Sequence, residues 1–431
     1  MHRAGRLAEA EAMYRQALAL DPNDPSALHL LGVVLHQNKR SAEGAPLIQQ
    51  AIQLQPNIAS YHNNLGEVFR ELDRCDEAIA CFKRAIQLRP AYPEAYNNMG
   101  GEYGRLGRMG ESIQCLRKCI ELQPNDADAH WNLSVALLLT GDWQKGWSEF
   151  EWRLRRKETP GRVYAKPLWA GQPLIGKTLL LWSEQGFGDM IQFFRYVAEA
   201  RRFGGRVIVD LQAPLVPLLR AQNSADGVYA AGEPLPAFDY HVALMSMPQI
   251  MTTTIQTVPR SVPYVRASTD RSQYWAQRLG VNANRKVGIA WAGRPEHAND
   301  RRRSMPVELL SVLGEVPDTT FVTIQPRPLN VPGPSGIPLL DFGPELSDFA
   351  DSAGLISQLD LIISVDTSVA HLAGAMGRSV WLLLPFSPDW RWLIQREDSP
   401  WYPTMRLFRQ RKLGDWPEVL ARVVSQLAVA K

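Results

Sequence analysis

No stretch of the 431 residues approaches the roughly 18 consecutive apolar residues that a membrane-spanning helix needs. The opening Met1-His-Arg-Ala-Gly-Arg-Leu-Ala-Glu-Ala lacks the apolar core of a signal peptide, so a cytoplasmic protein is expected. Charge of one sign is also lacking. A net charge of +3 gives no reason to expect nucleic acid, and the run Arg301-Arg302-Arg303 calls for a local explanation. Cysteine is scarce: Cys75, Cys81, Cys115 and Cys119 lie in the first third and form no CxxC pair. Cys115 and Cys119 are one helical turn apart among apolar neighbours, which favours small buried hydrophobes over a zinc or redox pair. No metal site is expected. The full GxGxxG pattern of dinucleotide-binding proteins is missing around Gly186 and Gly188, which counts against a nicotinamide cofactor.

What is present begins with a repeat. The length allows two or three domains, and Pro22, Pro56, Pro90 and Pro124 recur 34 residues apart. Counting repeats from 25, 59, 93 and 127, the seventh position is Leu31, Leu65, Met99 and Leu133. The eighth is Gly32, Gly66, Gly100 and then Ser134. A 34-residue period with a small residue where two helices touch is the tetratricopeptide repeat (TPR) signature. Arg6 to Asp21 reads as the second helix of an earlier repeat, so the sequence is expected to open inside a repeat or on a short cap. Residues 1–155 are therefore assigned to a TPR superhelix, whose groove is expected to hold a peptide or protein. The sixth position is Asn64, Asn98 and Asn132, with Leu30 in the first full repeat. Such amides form a ladder suited to an extended peptide backbone, and this resembles the asparagine ladder in the TPR region of O-GlcNAc transferase. Asp126-Ala127-Asp128 matches the DxD metal motif formally, but its place in an inter-repeat turn makes it a helix cap.

Trp147, Phe150 and Trp152 carry more aromatic surface than a free cap would, so they are expected to pack on the region C-terminal to the array. Residues 156–176, with Pro160, Gly161, Pro167, Gly171, Pro173 and Gly176, read as a linker. Strands are then expected at Thr178–Trp182, Arg206–Asp210 and Tyr240–Leu244, with helices at Met190–Arg202 and Leu215–Ala221. This alternation implies an α/β domain with a parallel sheet over 177–268. Gly186 and Gly188 are read as making a tight strand-to-helix turn at the carboxyl edge, where open α/β sheets bind ligands. Asp189 comes directly after them and is the best candidate base in this half.

A second α/β domain, 284–431, is read from strands at Lys286–Trp291, Thr320–Ile324, Leu361–Val365 and Val380–Leu384. Asp415-Trp-Pro-Glu418 opens the last helix. Trp291 ends the first strand, and the loop from Ala292 to Ser304, with Gly293 near its start, is dense in arginine, Arg302 being among the groups able to clamp phosphate. Gln325 comes after the second strand. The third enters a helix through Asp366, Thr367 and Ser368. Unpaired N–H groups and the helix dipole make that helix start a site for an anion such as a diphosphate, with His371 one turn on. Two α/β domains facing across a cleft suit group transfer from an activated donor.

Four motifs carry a resemblance: Glu184-Gln-Gly-Phe-Gly-Asp189, Val287-Gly-Ile-Ala-Trp-Ala-Gly293, Ser364 to Gly377, and Pro388-Asp-Trp-Arg-Trp392. With the Gly146 to Arg153 joint they resemble the bacterial TPR-fused relatives of ADP-heptose:lipopolysaccharide heptosyltransferases, the family 9 type of GT-B glycosyltransferase. The resemblance implies two Rossmann-like domains with a nucleotide-sugar bound mainly in the second. It matches Asp189 to the family's base. It matches Asp366, Thr367 and His371 to the motif whose amides take the diphosphate and whose Asp contacts the donor sugar. Trp291, Gly293, Arg302, Gln325 and Ser368 complete the expected donor site. The loop after Trp291 lacks the family's Thr-Thr pair, so donor identity does not carry over.

The expected function is a metal-independent glycosyltransferase acting on a protein held by the repeats. Two alternatives stand: a TPR interaction scaffold with an inactive or sensing GT-B part, and a transferase acting on a saccharide or lipid-linked acceptor.

Overall fold

The computed structural model describes residues 5–157, 159, 162, 164–280, 284–294, 300–326 and 334–429. Pro160 and Gly161 of the expected linker, and residues 295–299 of the arginine-rich loop, lie outside them. The chain divides into two compact units between Leu137 and Leu138.

The first unit is a helical TPR array. Its helices are α1 (Leu7–Leu20), α2 (Pro25–Gln37), α3 (Ser41–Leu54), α4 (Ala59–Glu71), α5 (Cys75–Leu88), α6 (Pro93–Arg105) and α7 (Met109–Leu122), and α8 (Ala127–Thr140) crosses the division. The helices pair as α2 with α3, α4 with α5 and α6 with α7. The reason lies at the eighth repeat position. A Cβ on Gly66 would stand 2.5 Å from the Phe82 ring, so only glycine lets α4 and α5 approach so closely. Leu65, Val68 and Phe69 then interdigitate with Ala78, Ile79 and Phe82, and Met99 and Tyr103 of the next repeat continue the core. The repeating prolines fall two residues past the ends of α1, α3, α5 and α7, where they cannot continue a helix. Cys75, Cys115 and Cys119 are buried in this core. Burial pushes the Cys115 thiol up to about 11 and that of Cys119 up to about 12, so both are inert at neutral pH.

The second unit opens with α9 (Trp143–Phe150) and a 3-10 turn at Glu151–Arg155. Repeat arithmetic ends the array at 155, but packing puts α9 with the α/β part. Trp143 stacks on Trp401 at 5.2 Å, and Trp147 meets Trp390 edge-on at 5.2 Å. Trp147 also donates its indole N–H to the Thr253 carbonyl (2.9 Å). Trp152, by contrast, lies under the Arg155 guanidinium. Behind the aromatics, Arg153 is fully buried and donates to Glu184, Glu151 and Ser246.

Two parallel sheets make up the rest of this unit's framework. The first holds β1 (Thr178–Trp182), β2 (Arg206–Leu211), β3 (Gly227–Ala230) and β4 (Tyr240–Ala243), in the order β3-β2-β1-β4. The second holds β5 (Arg285–Ala290), β6 (Thr319–Thr323), β7 (Leu339–Asp341), β8 (Leu361–Val365), β9 (Val380–Leu384) and β10 (Met405–Arg409), in the order β10-β9-β8-β5-β6-β7. Apolar strand residues such as Val287, Ile289, Phe321 and Ile363 pack against Val419, Leu420 and Val423 of the last helix, Trp416–Val429.

Three expectations are corrected. Residues 164–176 of the expected linker include packed ones: Trp169 and Leu174 are buried, and the Trp169 N–H donates to the His241 carbonyl of β4. The helix expected at Met190–Arg202 is two, Phe187–Phe193 and Tyr196–Arg201, and starts three residues earlier. A helix at Thr269–Leu279, capped by Ser268, bridges the gap between the two expected domains and buries Trp275.

Replacing Trp147 with alanine removes a wholly buried ring and orphans the Thr253 carbonyl. Denaturant unfolding should show the second unit destabilised by about 3–5 kcal/mol, with the TPR transition unmoved.

Candidate functional site

Strand order locates the crevice. In the second sheet the chain runs β5-β6-β7 to one side and returns to place β8-β9-β10 on the other, so the topology switches between β5 and β8. Ligands of open α/β sheets bind at such a switch, beyond the carboxyl ends of the strands. The register pairs Ala290 with Ser364, so the loops starting at Trp291 and Asp366 leave the sheet at the same level. The first sheet switches between β1 and β4, and β1 leads into Ser183 to Asp189.

The two edges meet at a glycine. The Phe187–Phe193 helix packs against the Ser368–Ala375 helix, and a Cβ on Gly188 would stand 2.8 Å from Cδ2 of His371. The chain passes from β1 to the Phe187 helix in four residues; neither Gly186 nor Gly188 has positive φ, and what glycine supplies at 188 is close approach.

Asp189 sits in the first turn of its helix. One carboxylate oxygen accepts the Gly186 N–H (2.8 Å), as acidic residues near helix starts do. The other accepts from the Arg391 guanidinium of the second sheet's edge. Arg391 is buried and also donates to Asp389 (2.9 Å) and to the Gln192 carboxamide. Burial works against its charge, but the carboxylates of Asp389 and Asp189 outweigh it and raise the guanidinium above its ordinary range.

Across the crevice, Asp366 accepts the Trp392 indole N–H (2.8 Å). Burial, aided by the negative charge of Asp389, pushes its carboxyl up to about 6. His371 has Nε2 3.7 Å from Asp366 and Nδ1 2.9 Å from the Tyr402 hydroxyl, and it stacks on Trp392. Burial and the nearby Arg391, Arg195 and Arg303 charges hold His371 well below its ordinary value, so the imidazole is neutral at pH 7. Thr367 stands at the N-cap without a side-chain cap bond, its hydroxyl turned to Ser364 Oγ (3.1 Å). The first-turn N–H groups, beginning with Ser368, therefore have no side-chain cap or intrahelical partner.

The remaining expected donor residues divide. Trp291 is buried in the core of the second sheet, so its ring is a packing group. Gln325 accepts the Trp291 and Ala292 N–H groups (2.9 Å each), which fixes the loop. Gly293 donates its N–H to Ser304 Oγ (2.9 Å), and Asp300 and Arg303 fold over it. The charge of the loop's Arg303 reaches Asp366 and His371. Arg294 lies 4.4 Å over the Phe187 ring. The roles of Arg391 and Tyr402 were missed from the sequence, whereas Arg303 belongs to the arginine run expected to clamp phosphate. The signal for Arg391 was its place between Trp390 and Trp392, which marks a buried cation.

In the TPR unit the amides expected to line a peptide also bond between repeats. Asn64 bonds His29 (2.8 Å), Asn98 donates to Asn63 (3.2 Å), and Asn132 donates to Asn97 (2.9 Å). Asn98 is engaged further, donating to Glu67 and accepting from Arg70. The spacing is 35 residues each time, so the sixth position of one repeat is stapled to the fifth of the repeat before. Asp126 caps α8 by accepting the Asp128 and Ala129 N–H groups (3.0 Å each).

Tetratricopeptide repeat family models match residues 3–57, 66–107 and 93–126. Protein FlbA of Caulobacter vibrioides is 26% identical over 328 residues, 68% of this chain and 54% of FlbA. The chain thus spans about half the length of that curated relative. Among solved structures, MamA is 24% identical over 36% of this chain and 92% of its own, with a TM-score of 0.33. YrrB, described as a TPR protein with an unusual peptide-binding site, is 22% identical over 36% of this chain and 79% of its own, with a TM-score of 0.31. No described helix is long and apolar enough to cross a membrane.

The crevice and the repeat staples can each be tested by one substitution. Asp366 holds its proton more tightly folded than unfolded, so its contribution to stability falls as pH rises from about 3.8 to about 6 and is lowest above that. Asp366→Asn keeps an acceptor for Trp392 and should stabilise the fold by about 1–3 kcal/mol at pH 7.5. Urea unfolding at pH 3.5 should show the gain gone. Asn98→Ala strips partners from Asn63 and Glu67, and the TPR transition should lose about 1–3 kcal/mol.

Proposed function

We propose that the chain joins a protein-binding TPR array to a glycosyltransferase of the GT-B type, related to the family 9 heptosyltransferases. The single observation that carries the reading is the meeting of two carboxyl edges at Gly188 and His371. It sets a partly exposed carboxylate, Asp189, near an uncapped helix start at the switch point of a second sheet. In the proposed reaction a hydroxyl of the acceptor gives its proton to Asp189 as its oxygen bonds the anomeric carbon of a nucleotide-sugar. The bond from that carbon to the diphosphate breaks, and the electron pair leaves with the nucleotide. The Ser368 helix start and the field of Arg303 and Arg391 stabilise that departing charge, so the chemistry is read as metal-independent. Neutral His371, held by the Tyr402 hydroxyl, packs between Gly188 and Asp366 and adds no charge of its own. TPR arrays bind peptides and proteins, so the acceptor is proposed to be a protein.

One observation favours a second reading. The matched family models all lie within residues 3–126. A protein-interaction scaffold whose α/β part senses a nucleotide-sugar without turning it over agrees with these matches better than the transferase does.

The two separate on turnover. Thermal shift of the whole chain against ADP-, GDP-, UDP- and CMP-sugars should find one that stabilises it, by about 2.7 kcal/mol at a hundredfold excess over Kd. With that donor, Asp189→Asn should abolish transfer to a protein acceptor while leaving the thermal shift intact. A donor that binds and is never consumed selects the scaffold, and no hit among the four classes removes the transferase reading.

A further inference from the structure

The carboxylate assigned as base is held by a group outside its own domain. Asp189 is fixed at both oxygens: the Gly186 N–H takes one and Arg391 takes the other. Arg391 is itself clamped, by Asp389 on its own loop and by Gln192 one turn along the Asp189 helix. Its guanidinium lies 4.3 Å over the Trp390 ring and 5.9 Å from Phe193. A cation so enclosed has no water to fall back on, and its paired negative charges are Asp389 and Asp189.

We propose that Arg391 is the positioning residue for Asp189. It orients the carboxylate from the opposite sheet and keeps it ionised, so that a base exists only when the two edges are docked. The role given to Asp189 rests on the transferase reading; the hold of Arg391 on it does not.

Other charges face Asp189 and enter the balance. Glu184, on the same loop, feels the negative charge of Asp189, but it is paired with the fully buried Arg153. His371, opposite Gly188, is neutral. Asp366 lies beyond His371, and Arg294 covers the neighbouring Phe187. Against these, Arg391 is a full cation bonded directly to the Asp189 carboxylate. Gln at 391 keeps hydrogen-bonding capacity without charge, whereas Lys keeps charge without the planar fork.

The test uses the whole chain without substrate. A water-soluble carbodiimide activates protonated carboxyls, so its rate of labelling at Asp189, read by peptide mass spectrometry at pH 6, reports how firmly the group is kept ionised. Arg391→Gln should raise that rate about tenfold, the consequence of losing one pK unit of stabilisation from an adjacent opposite charge. Arg391→Lys should stay within about twofold of the parent chain. Thermal melts establish that each variant is folded. An unchanged rate in the Gln variant overturns the assignment. So does a tenfold rise in the Lys variant, which retains the buried cation and decides the matter if the Gln variant does not fold. Where a donor is turned over, the acid limb of the pH–rate profile should move to higher pH in the Gln variant and be largely restored in the Lys variant. A purely structural loss would lower the rate equally at all pH. If the parent chain consumes no nucleotide-sugar, the transferase reading fails while the labelling still decides the ion pair.

Discussion

The absence of a side chain at residue 188 governs the geometry of the crevice. With a hydrogen there, the start of the Phe187–Phe193 helix rests against His371 and the Cα of Ser368. Any larger group would force backbone and a buried imidazole apart, and the imidazole cannot yield: it is held by Tyr402 and stacked on Trp392. The polar arrangement of the crevice depends on that contact. It brings Asp189 within reach of Arg391, and it removes water from around His371 and Asp366. Desolvation then separates their protonation behaviour. The imidazole loses its proton well below its ordinary range, and the carboxyl keeps its proton up to about 6.

Legibility in the sequence tracked how local the cause was. The TPR pairing was readable because Gly32, Gly66 and Gly100 repeat at 34, and a period survives any tertiary detail. Central strands β1, β5, β8 and β9 were readable as apolar runs between two layers of helix. The missed strands are short or alternating: β3 has four residues, β7 has three, and β10 interleaves Arg406 and Arg409 with its apolar positions. The Thr269–Leu279 helix escaped because it buries only Trp275 and Leu279, too few to show a 3.6-residue period. At the crevice, Asp189, Asp366, Thr367 and His371 could be named from local pattern. Arg391 could not be given a role, because the carboxylate it holds lies 202 positions earlier in the chain. The asparagine ladder is periodic, as the sequence shows, and each amide also bonds the repeat before it. Periodicity alone does not say whether an amide faces a ligand or the neighbouring repeat.

Buried arginines are costly, since a guanidinium leaving water loses more than one ion pair returns unless further hydrogen bonds complete its donors. Both Arg153 and Arg391 meet that condition. Arg153 donates to Glu184, Glu151, Ser246 and the Phe150 carbonyl, and Arg391 to Asp389, Asp189 and Gln192. Such networks contribute little net stability but are intolerant of misplacement, because each displaced donor leaves a buried charge unpaired.

The two networks grip one short segment from opposite ends. Arg153, just past α9, holds Glu184 at the start of the loop, and Arg391, from the second sheet's edge, holds Asp189 at its finish. Between them lie Gln185 to Gly188, with the Gln185 carbonyl taken by Gln212 of the first sheet. The loop that carries the candidate base is therefore located by three parts of the second unit at once. From the first sheet's side come Gln212, just past β2, and the loop's own Gly186 N–H. The aromatic cluster of Trp143, Trp147, Phe150, Trp390 and Trp401 ties α9 to the second sheet's edge, so it keeps both arginines in place. The aromatic-rich joint that repeat arithmetic assigns to the last repeat's second helix is, in packing terms, part of the scaffold of the crevice.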